Sequence, residues 1–336
     1  MKRLKVSGLA AALLAGALGA AMASPASADF TPQPRDIVGG GSDTTQFAMN
    51  NLADGALVGG SLATGYNFTA NSRLVSFDAI TPDGATHNQI TLKAGSAAIT
   101  RPNGSTEGKN LLHGTGNNVN ANYARSSSAL GSGEVTDGLY LVPFAVDGMR
   151  LAVRAAGTNA PATITPAQMV DIYQGDITNW NQIGGADGVI VPMIPQPGSG
   201  TRATFEAQLQ ASNGGVAVVL GGSVVETQEH DPAPIAADPN AVAPFSTGRA
   251  SFAPEISLVT GPGSWAFTRA LYNAVRSADR TASWFGPLFG TAGFVCSPAA
   301  KSLIAAAGFQ QLAGPLDDGV CGVATQAATT NFTVAP

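Results

Sequence analysis

Short apolar runs alternate along this chain with amphipathic segments, and Gly, Ser, Thr or Asn stands at most of the junctions. Short apolar runs are typical of β-strands, and apolar residues three or four positions apart are typical of α-helices. Because the two patterns alternate, we expect an α/β fold rather than a β-sandwich or a helical bundle. The predicted strands are residues 35–38, 74–77, 90–92 and 189–194, and the predicted helices are 45–53, 166–174, 202–211, 265–277 and 298–307.

The longest run of apolar positions lies at residues 138–155. Pro143 and the pair Asp147-Gly148 interrupt it, and proline cannot donate a hydrogen bond within a sheet. We therefore expect two strands here, with the chain crossing between two lobes near residues 142–148 and crossing back near 248–254. One lobe would combine residues 29–145 with 252–336, and the other would be 146–251; one compact domain with a C-terminal extension is the alternative.

The clearest helix signal is Thr165-Pro166, a capping residue followed by a proline at the first helical position. Proline fits there because the first amide of a helix has no intrahelical partner. Met169, Val170, Ile172 and Tyr173 then supply an apolar face, and Gly175 ends the predicted helix.

The first 28 residues have the pattern of a signal peptide. Basic residues precede an apolar stretch at 9–22, and Ala26-Ser27-Ala28 is a small-x-small cleavage site. A membrane anchor is the alternative, but the apolar stretch is short for a span, and no later run approaches 18 apolar residues. We expect the mature chain to start at Asp29, to be exported to the periplasm or the exterior, and to lack a lipid anchor on an N-terminal Cys.

The composition excludes two broad classes of protein. Of the 336 residues 44% are hydrophobic and only 12% are charged, the opposite balance from a disordered chain. The formal net charge of −5 argues against a nucleic-acid partner, because such proteins need cations that displace phosphate counterions.

The chain contains two cysteines, Cys296 and Cys321, both late in the sequence. In an exported protein such a pair predicts a disulfide that closes this segment. Two buried free thiols or a redox pair are the alternatives, although the spacing matches no redox motif.

Three predicted strand-to-helix junctions share one chemistry: residues 41–45, 103–106 and 198–201 each combine Gly with Ser or Thr. A helix start offers unpaired N–H donors and a partial positive charge, which suit an oxyanion. Each junction alone is explained by ordinary capping, but three in one α/β chain favour an anion site. Arg125, followed by the serines 126–128, could add a bidentate fork, or be a surface arginine in a polar turn.

Enzyme signatures are absent from the sequence. No Ser lies in a G-x-S-x-G elbow, the NTPase loop is missing, and His87, His113 and His230 lack metal-ligand spacing. We therefore expect no catalytic residue, no metal and no cofactor. The alternatives are a secreted hydrolase whose Ser nucleophile is assembled from distant residues, and a secreted protein that keeps the fold without a ligand.

Residues 36–44, 165–180 and 197–205 together resemble the phosphate-binding proteins of ABC transporters. The most specific part is a helix followed by Gly-x-Ile-x-x-Trp at 175–180 and by Gly-Ser-Gly-Thr-x-x-x-Phe at 198–205. The likeness covers most of residues 35–210. The N-terminal segment also resembles the DING relatives of this family, with Val38 where they carry Asn.

The resemblance implies a two-lobe periplasmic-binding-protein-like fold whose two crossing strands join lobes that close on a dehydrated oxyanion. It further implies delivery of a small inorganic or organic oxyanion, phosphate or a related tetrahedral anion, to an ABC permease, and we expect a monomer. The family's ligand-binding positions fall on Asp43, Thr44, Ser105, Ser126, Ser127, Ser199, Gly200 and Thr201, and we add Arg125 as a source of charge.

Two departures from the family pattern leave the ligand open. The family's Ser-Asp pair is Ser126-Ser127 here, and Pro195 stands where the family has an Arg. A buried acceptor carboxylate selects protonated phosphate over sulfate, so its loss would weaken that preference. Arg101 and Arg125 are candidates for the missing charge, and Asp43 is either the missing acceptor or a helix cap.

Overall fold

The computed structural model describes residues 31–81 and 84–336 of the chain. The signal peptide predicted for residues 1–28 lies outside these described residues. The fold is mixed α/β, as the alternating pattern predicts.

The strands are short except for two long ones, Leu139–Arg154 and Ala266–Arg276, in the middle of the central sheet. They are β1 (Ile37–Gly41), β2 (Ala56–Val58), β3 (Ser61–Ala63), β4 (Leu74–Ser76), β5 (Gln89–Thr91), β6 (Ala98–Thr100), β7 (Tyr123–Ser126), β8 (Leu139–Arg154), β9 (Val191–Pro195), β10 (Val225–Thr227), β11 (Ala241–Ser246), β12 (Ile256–Leu258), β13 (Ala266–Arg276) and β14 (Gln310–Gln311).

The helices lie mainly between strands, as in other α/β chains. They are α1 (Gln46–Asp54), α2 (Ser105–Asn110), α3 (Ser132–Thr136), α4 (Pro166–Gln174), α5 (Gly200–Ser212), α6 (Ala233–Ala237), α7 (Thr247–Ala250), α8 (Phe285–Phe289) and α9 (Pro298–Ala306).

The central sheet has the strand order β10-β9-β11-β8-β13-β7-β1-β4, and β12 and β14 also pair with β8. The outer pairs are parallel, such as β1 with β4 and β7, and β9 with β10 and β11. In the middle, β8 and β13 run antiparallel to each other over eleven register pairs. These two long strands therefore connect one end of the sheet to the other.

β8 is one continuous strand, so the prediction of two strands at residues 138–155 is wrong. The register between β8 and β13 shifts at Leu271/Tyr272, next to Pro143. Such an irregularity lets a ladder continue past a residue that cannot donate a hydrogen bond.

The prediction of a helix at residues 265–277 is also wrong, because this segment is strand β13. Residues 269–275 are all buried, so no alternation of exposed and buried positions marks the strand. A strand covered on both faces cannot be told from a buried helix by periodicity, and pairing with β8 decides its form.

Helix α4 forms as its start and stop signals predict. Thr165 Oγ1 accepts a hydrogen bond of 3.3 Å from Gln168 N, and the Gln168 side chain accepts from Thr165 N at 2.9 Å. Gly175 ends the helix in the left-handed conformation, with φ of 91°.

The buried apolar residues form separate clusters. The largest draws on residues 37–145 and 270–321, and two smaller ones draw on residues 149–267. The long strands β8 and β13 both contribute to more than one cluster. The second crossing, predicted near residues 248–254, falls on helix α7. The lobe boundaries at residues 145 and 251 stay a prediction.

Cys296 and Cys321 form the predicted disulfide, with a Cα–Cα distance of 5.7 Å. The bridge ties the start of α9 to the loop after β14. Within residues 31–81 and 84–336, no single helix is long and apolar enough to cross a membrane; only the bent pair Phe285–Cys296 and Pro298–Ala306 meets the length and composition criteria together.

Candidate functional site

Hydroxyl side chains from four separate loops meet at one buried point. Ser127 Oγ, after β7, lies 3.1 Å from Ser42 Oγ and 3.1 Å from Thr44 Oγ1, both in the loop after β1. Ser127 N donates to Ser105 Oγ, at the start of α2, at 3.0 Å. We call the buried set around this point the polar cluster; its members are Ser42, Thr44, Ser105, Ser127, Thr201, Glu229 and Arg269.

The start of α5 faces these hydroxyls from the other side. Ser199 caps the helix, because its Oγ accepts from Arg202 N at 3.0 Å. Thr201 Oγ1 lies 3.4 Å from Thr44 Oγ1, and Thr201 N donates to Glu229 Oε1 at 3.1 Å. The first turn of the thirteen-residue helix α5 thus directs the amide and the hydroxyl of Thr201 into the polar cluster.

Two glycines allow the facing loops to come this close. A Cβ on Gly200 would lie 2.3 Å from both Ser105 Oγ and Ser127 Oγ. A Cβ on Gly104 would lie 2.5 Å from the carbonyl oxygen of Gly198, which accepts a hydrogen bond from Thr106 N. Any larger residue at either position would separate the loops, so their close approach requires Gly104 and Gly200.

An ion pair between the two long strands supplies the charge at the polar cluster. Arg269 on β13 and Asp147 on β8 are direct cross-strand neighbours. The guanidinium Nε and Nη2 donate to Asp147 Oδ2 at 3.1 and 2.9 Å. Nη2 also donates to Thr201 Oγ1 at 3.0 Å, and Nη1 donates to the carbonyl of Ser127 at 3.3 Å.

Glu229 places a carboxylate inside the polar cluster. Its Oε1 lies 3.1 Å from Thr44 Oγ1 and accepts from Thr201 N at 3.1 Å, while Glu229 N donates to Gln196 Oε1 at 2.7 Å. Oε2 is buried and has no hydrogen-bond partner among the described residues. A buried carboxylate oxygen without a partner can accept a hydrogen bond from a ligand that carries a proton.

Asp43 lies beside the polar cluster, and the side chains of His230 and Arg249 contact its carboxylate. Asp43 Oδ2 is 2.9 Å from His230 Nδ1, and Oδ1 is 3.5 Å from Arg249 Nη2. Burial opposes ionisation, but Arg249 and His230 outweigh it and hold the pKa of Asp43 below its ordinary value. The residue therefore supports the loop after β1 as a carboxylate.

The Asp43–His230 pair resembles the orienting half of a catalytic triad, yet His230 Nε2 faces no nucleophile. It accepts from the backbone N of Ser246 at 3.4 Å, so Nδ1 carries the proton that Asp43 accepts. Both side chains are fully buried. The ring also packs edge-on against Phe245, with centroids 5.0 Å apart.

Two predicted ligand-binding residues use their polar groups elsewhere. Arg125 donates to the carbonyls of Gly41, Ser42 and Phe77 and to Ser76 Oγ at 2.5–3.1 Å. Ser126 Oγ donates to the carbonyl of Ser128 at 2.9 Å. Arg125 therefore ties together the ends of β1 and β4, and Ser126 shapes the turn after β7. Arg101 donates to the Asn88 side chain and the carbonyl of Asp78.

One group within the described residues has the composition of a metal site. Asp43, Glu229 and His230 each offer a ligand atom, and these atoms lie within 4.8 Å of one another. Carboxylate and imidazole donors suit a divalent cation. The Arg249 guanidinium beside Asp43 would repel a cation, and Asp43 already pairs with Arg249 and His230.

Sequence reasoning missed five charged or titratable residues of this region. Asp147 and Arg269 are isolated charges within apolar runs, a signal that could have been used in a chain with so few charges. No local pattern marks the remaining three, which lie in poorly periodic segments. They are Glu229, His230 and Arg249.

Hydroxyls, the amide of Thr201, the Arg269 guanidinium and the Glu229 carboxylate converge in the polar cluster from different parts of the chain. Neutral donors at a helix N-terminus, assisted by one arginine, suit a tetrahedral oxyanion. Thr44, Ser105, Ser127 and Thr201 are the predicted residues whose side chains meet there.

The comparisons with known proteins agree with this architecture. Residues 31–333 match the sequence model of a family described as "PBP superfamily domain". A putative phosphate ABC transporter substrate-binding protein from Clostridium perfringens, solved with bound phosphate, has a TM-score of 0.59 and 19% identity, covering 82% of this chain and 99% of that one.

Two further solved structures share the fold. An ABC-type phosphate transport receptor from Vibrio cholerae has a TM-score of 0.54 and 20% identity, covering 82% of this chain and 99% of that one. A high-affinity periplasmic phosphate-binding protein, PfluDING, bound with phosphate, has a TM-score of 0.51 and 15% identity, covering 82% of this chain and 90% of that one. These likenesses confirm the predicted two-lobe α/β fold.

Replacing Asp43 by Asn tests the charge assigned to this carboxyl. Because the folded pKa lies below the unfolded value of about 3.9, the carboxylate stabilises the fold above that pH, and the contribution disappears as pH falls through the folded pKa. We expect the free energy of unfolding, measured in urea, to fall less between about pH 6 and 3 in Asp43→Asn than in the wild type. The exposed control Asp317→Asn should follow the wild type; an unchanged acid dependence in Asp43→Asn would contradict the assignment.

Proposed function

Because this chain belongs to the family described as the PBP superfamily domain, we propose that it is an exported, monomeric binding protein that captures a small tetrahedral oxyanion for an ABC importer. Phosphate is the first candidate, since two of the structurally similar proteins were solved with bound phosphate. The signal-peptide pattern of residues 1–28 supports export.

The observation that carries this proposal is the convergence of donors in the polar cluster. Thr44, Ser105 and Ser127 approach from loops beside the largest apolar cluster, and Thr201 approaches from α5, which packs on a second one. In a protein that closes on its ligand, groups from both lobes contact the anion together. The two lobes are residues 29–145 with 252–336, and residues 146–251.

The hydrogen bonds of Ser105 and Ser199 support ligand binding rather than catalysis. Ser199 caps α5, and Ser105 accepts from Ser127 N, so neither is paired with a general base. In the buried His230–Asp43 pair, the second ring nitrogen accepts from the backbone amide of Ser246. A hydrolase would need a nucleophile and base within hydrogen-bond reach.

Glu229 is the residue we assign to ligand selection, in place of the family carboxylate that is Ser127 here. Its Oε1 accepts from Thr201 N, a donor that the proposed anion would also use, and Oε2 is buried with no hydrogen-bond partner in the described part of the chain. Phosphate at neutral pH carries a proton that it can donate to this carboxylate, whereas sulfate carries none and would be repelled.

Replacing Thr201 by Val tests the site, because it removes a hydroxyl while keeping the shape of the side chain. We expect calorimetry to show phosphate affinity reduced about tenfold to hundredfold, since a hydrogen bond to a charged group contributes about 1.5–3 kcal/mol. Thr163→Val, outside the polar cluster, is the control and should bind like the wild type. Equal affinities in both variants would place the site elsewhere. If the wild type binds no phosphate, sulfate, phosphonate or carboxylate, the chain keeps the fold without this function.

Replacing Glu229 by Gln tests the basis of selection. The substitution removes the charge that repels sulfate and replaces one of the two acceptor oxygens by an NH2 donor. We therefore expect the ratio of phosphate to sulfate affinity to fall at least about tenfold, or about 1.4 kcal/mol. Glu226→Gln, on the exposed part of β10, is the matched control. An unchanged ratio in Glu229→Gln would show that selection lies in other residues.

A further inference from the structure

A cavity of about 440 Å³ adjoins the polar cluster. It lies between α5, β13, the turn after β7 and the C-terminal segment around residues 328–332. Ser127 and Arg269 belong both to its lining and to the polar cluster. A group attached to an anion in the polar cluster would therefore extend into this space.

The lining combines apolar side chains with hydroxyls, amides and one ion pair. Ala203 and Ala207 of α5 face it together with Phe267, Tyr272 and Phe332. Lys109 and Glu134 also line it as a buried ion pair, with Nζ 2.8 Å from Oε2 and a second bond of 2.9 Å to the carbonyl of Ala129. Apolar walls with a few fixed polar groups are typical of organic ligand sites.

The volume of the cavity separates two classes of ligand. Ligand pockets for organic molecules occupy about 300–1,000 Å³, and this cavity lies in that range. Inorganic phosphate would use the hydroxyls and amides of the polar cluster and leave the apolar walls without contact. An organic substituent would bury those walls and gain affinity from doing so.

Resting on the proposed function, we propose that the preferred ligand is a phosphate monoester or a phosphonate whose organic group occupies this cavity. The phosphoryl oxygens bind in the polar cluster, Arg269 lies at the junction, and the apolar or aromatic portion packs against α5 and β13. Lys109 and Glu134 are positioned to receive a polar substituent on that portion.

The test compares inorganic phosphate, methylphosphonate and phenylphosphonate by calorimetry on the full-length mature protein. Burial of a phenyl group predicts that phenylphosphonate binds about tenfold or more tightly than methylphosphonate. Ala207→Trp fills the cavity from the exposed side of α5 and should remove this advantage while leaving phosphate affinity unchanged. Ala211→Trp, one turn further along α5 and outside the lining, should leave all three affinities unchanged.

Equal affinities for the two phosphonates, with no effect of Ala207→Trp, would overturn this inference and leave the proposed function standing. A loss of phosphate binding in a folded Ala207→Trp variant would also overturn it, because the cavity would then not be separate from the anion position. Failure of the wild type to bind all three compounds would overturn the proposed function itself.

Discussion

The buried ion pair between Arg269 and Asp147 joins the long strands β8 and β13 to Thr44, Ser127 and Thr201 of the polar cluster. Asp147 Oδ1 accepts from Ser246 Oγ at 2.8 Å and from Gly248 N at 3.3 Å, which fixes the start of α7. Arg269 contacts Ser127 on one side and Thr201 on the other. Removing either partner would leave a buried charge uncompensated, which typically costs about 3–5 kcal/mol, so geometry and stability depend on the same pair.

The two guanidinium groups at the polar cluster are each paired with a carboxylate, and Glu229 adds a third carboxylate. Arg269 is paired with Asp147, and Arg249 and His230 with Asp43. Glu229 instead rests on the amide and hydroxyl of the threonines 201 and 44. An anion in this place would be held by neutral dipoles and one already paired guanidinium, and those dipoles act strongly because the site is buried. Such a site discriminates by protonation and shape more than by total charge.

The parts of the fold that local chemistry decides could be predicted from the sequence. Thr165-Pro166 and Gly175 bound α4, and Ser199 caps α5, because capping depends on neighbouring residues alone. β13 could not be recognised, since its form depends on pairing with β8, far away in sequence. The sequence predicts Arg125 as a ligand-binding cation, whereas its guanidinium donates to the carbonyls of Gly41 and Ser42. Whether a guanidinium faces a ligand or nearby carbonyls depends on the tertiary fold. Glu229 reaches the polar cluster only through the same long-range packing.

The most direct measurement of the central claim is a crystal structure of the mature protein with arsenate, which has the shape of phosphate and an anomalous signal that locates it. We expect one arsenic peak in the polar cluster, with arsenate oxygens about 2.7–3.2 Å from Thr201 N, Thr44 Oγ1 and an Arg269 nitrogen. An arsenic peak confined to other parts of the molecule, with Glu229 still bound to Thr201 N, would contradict it.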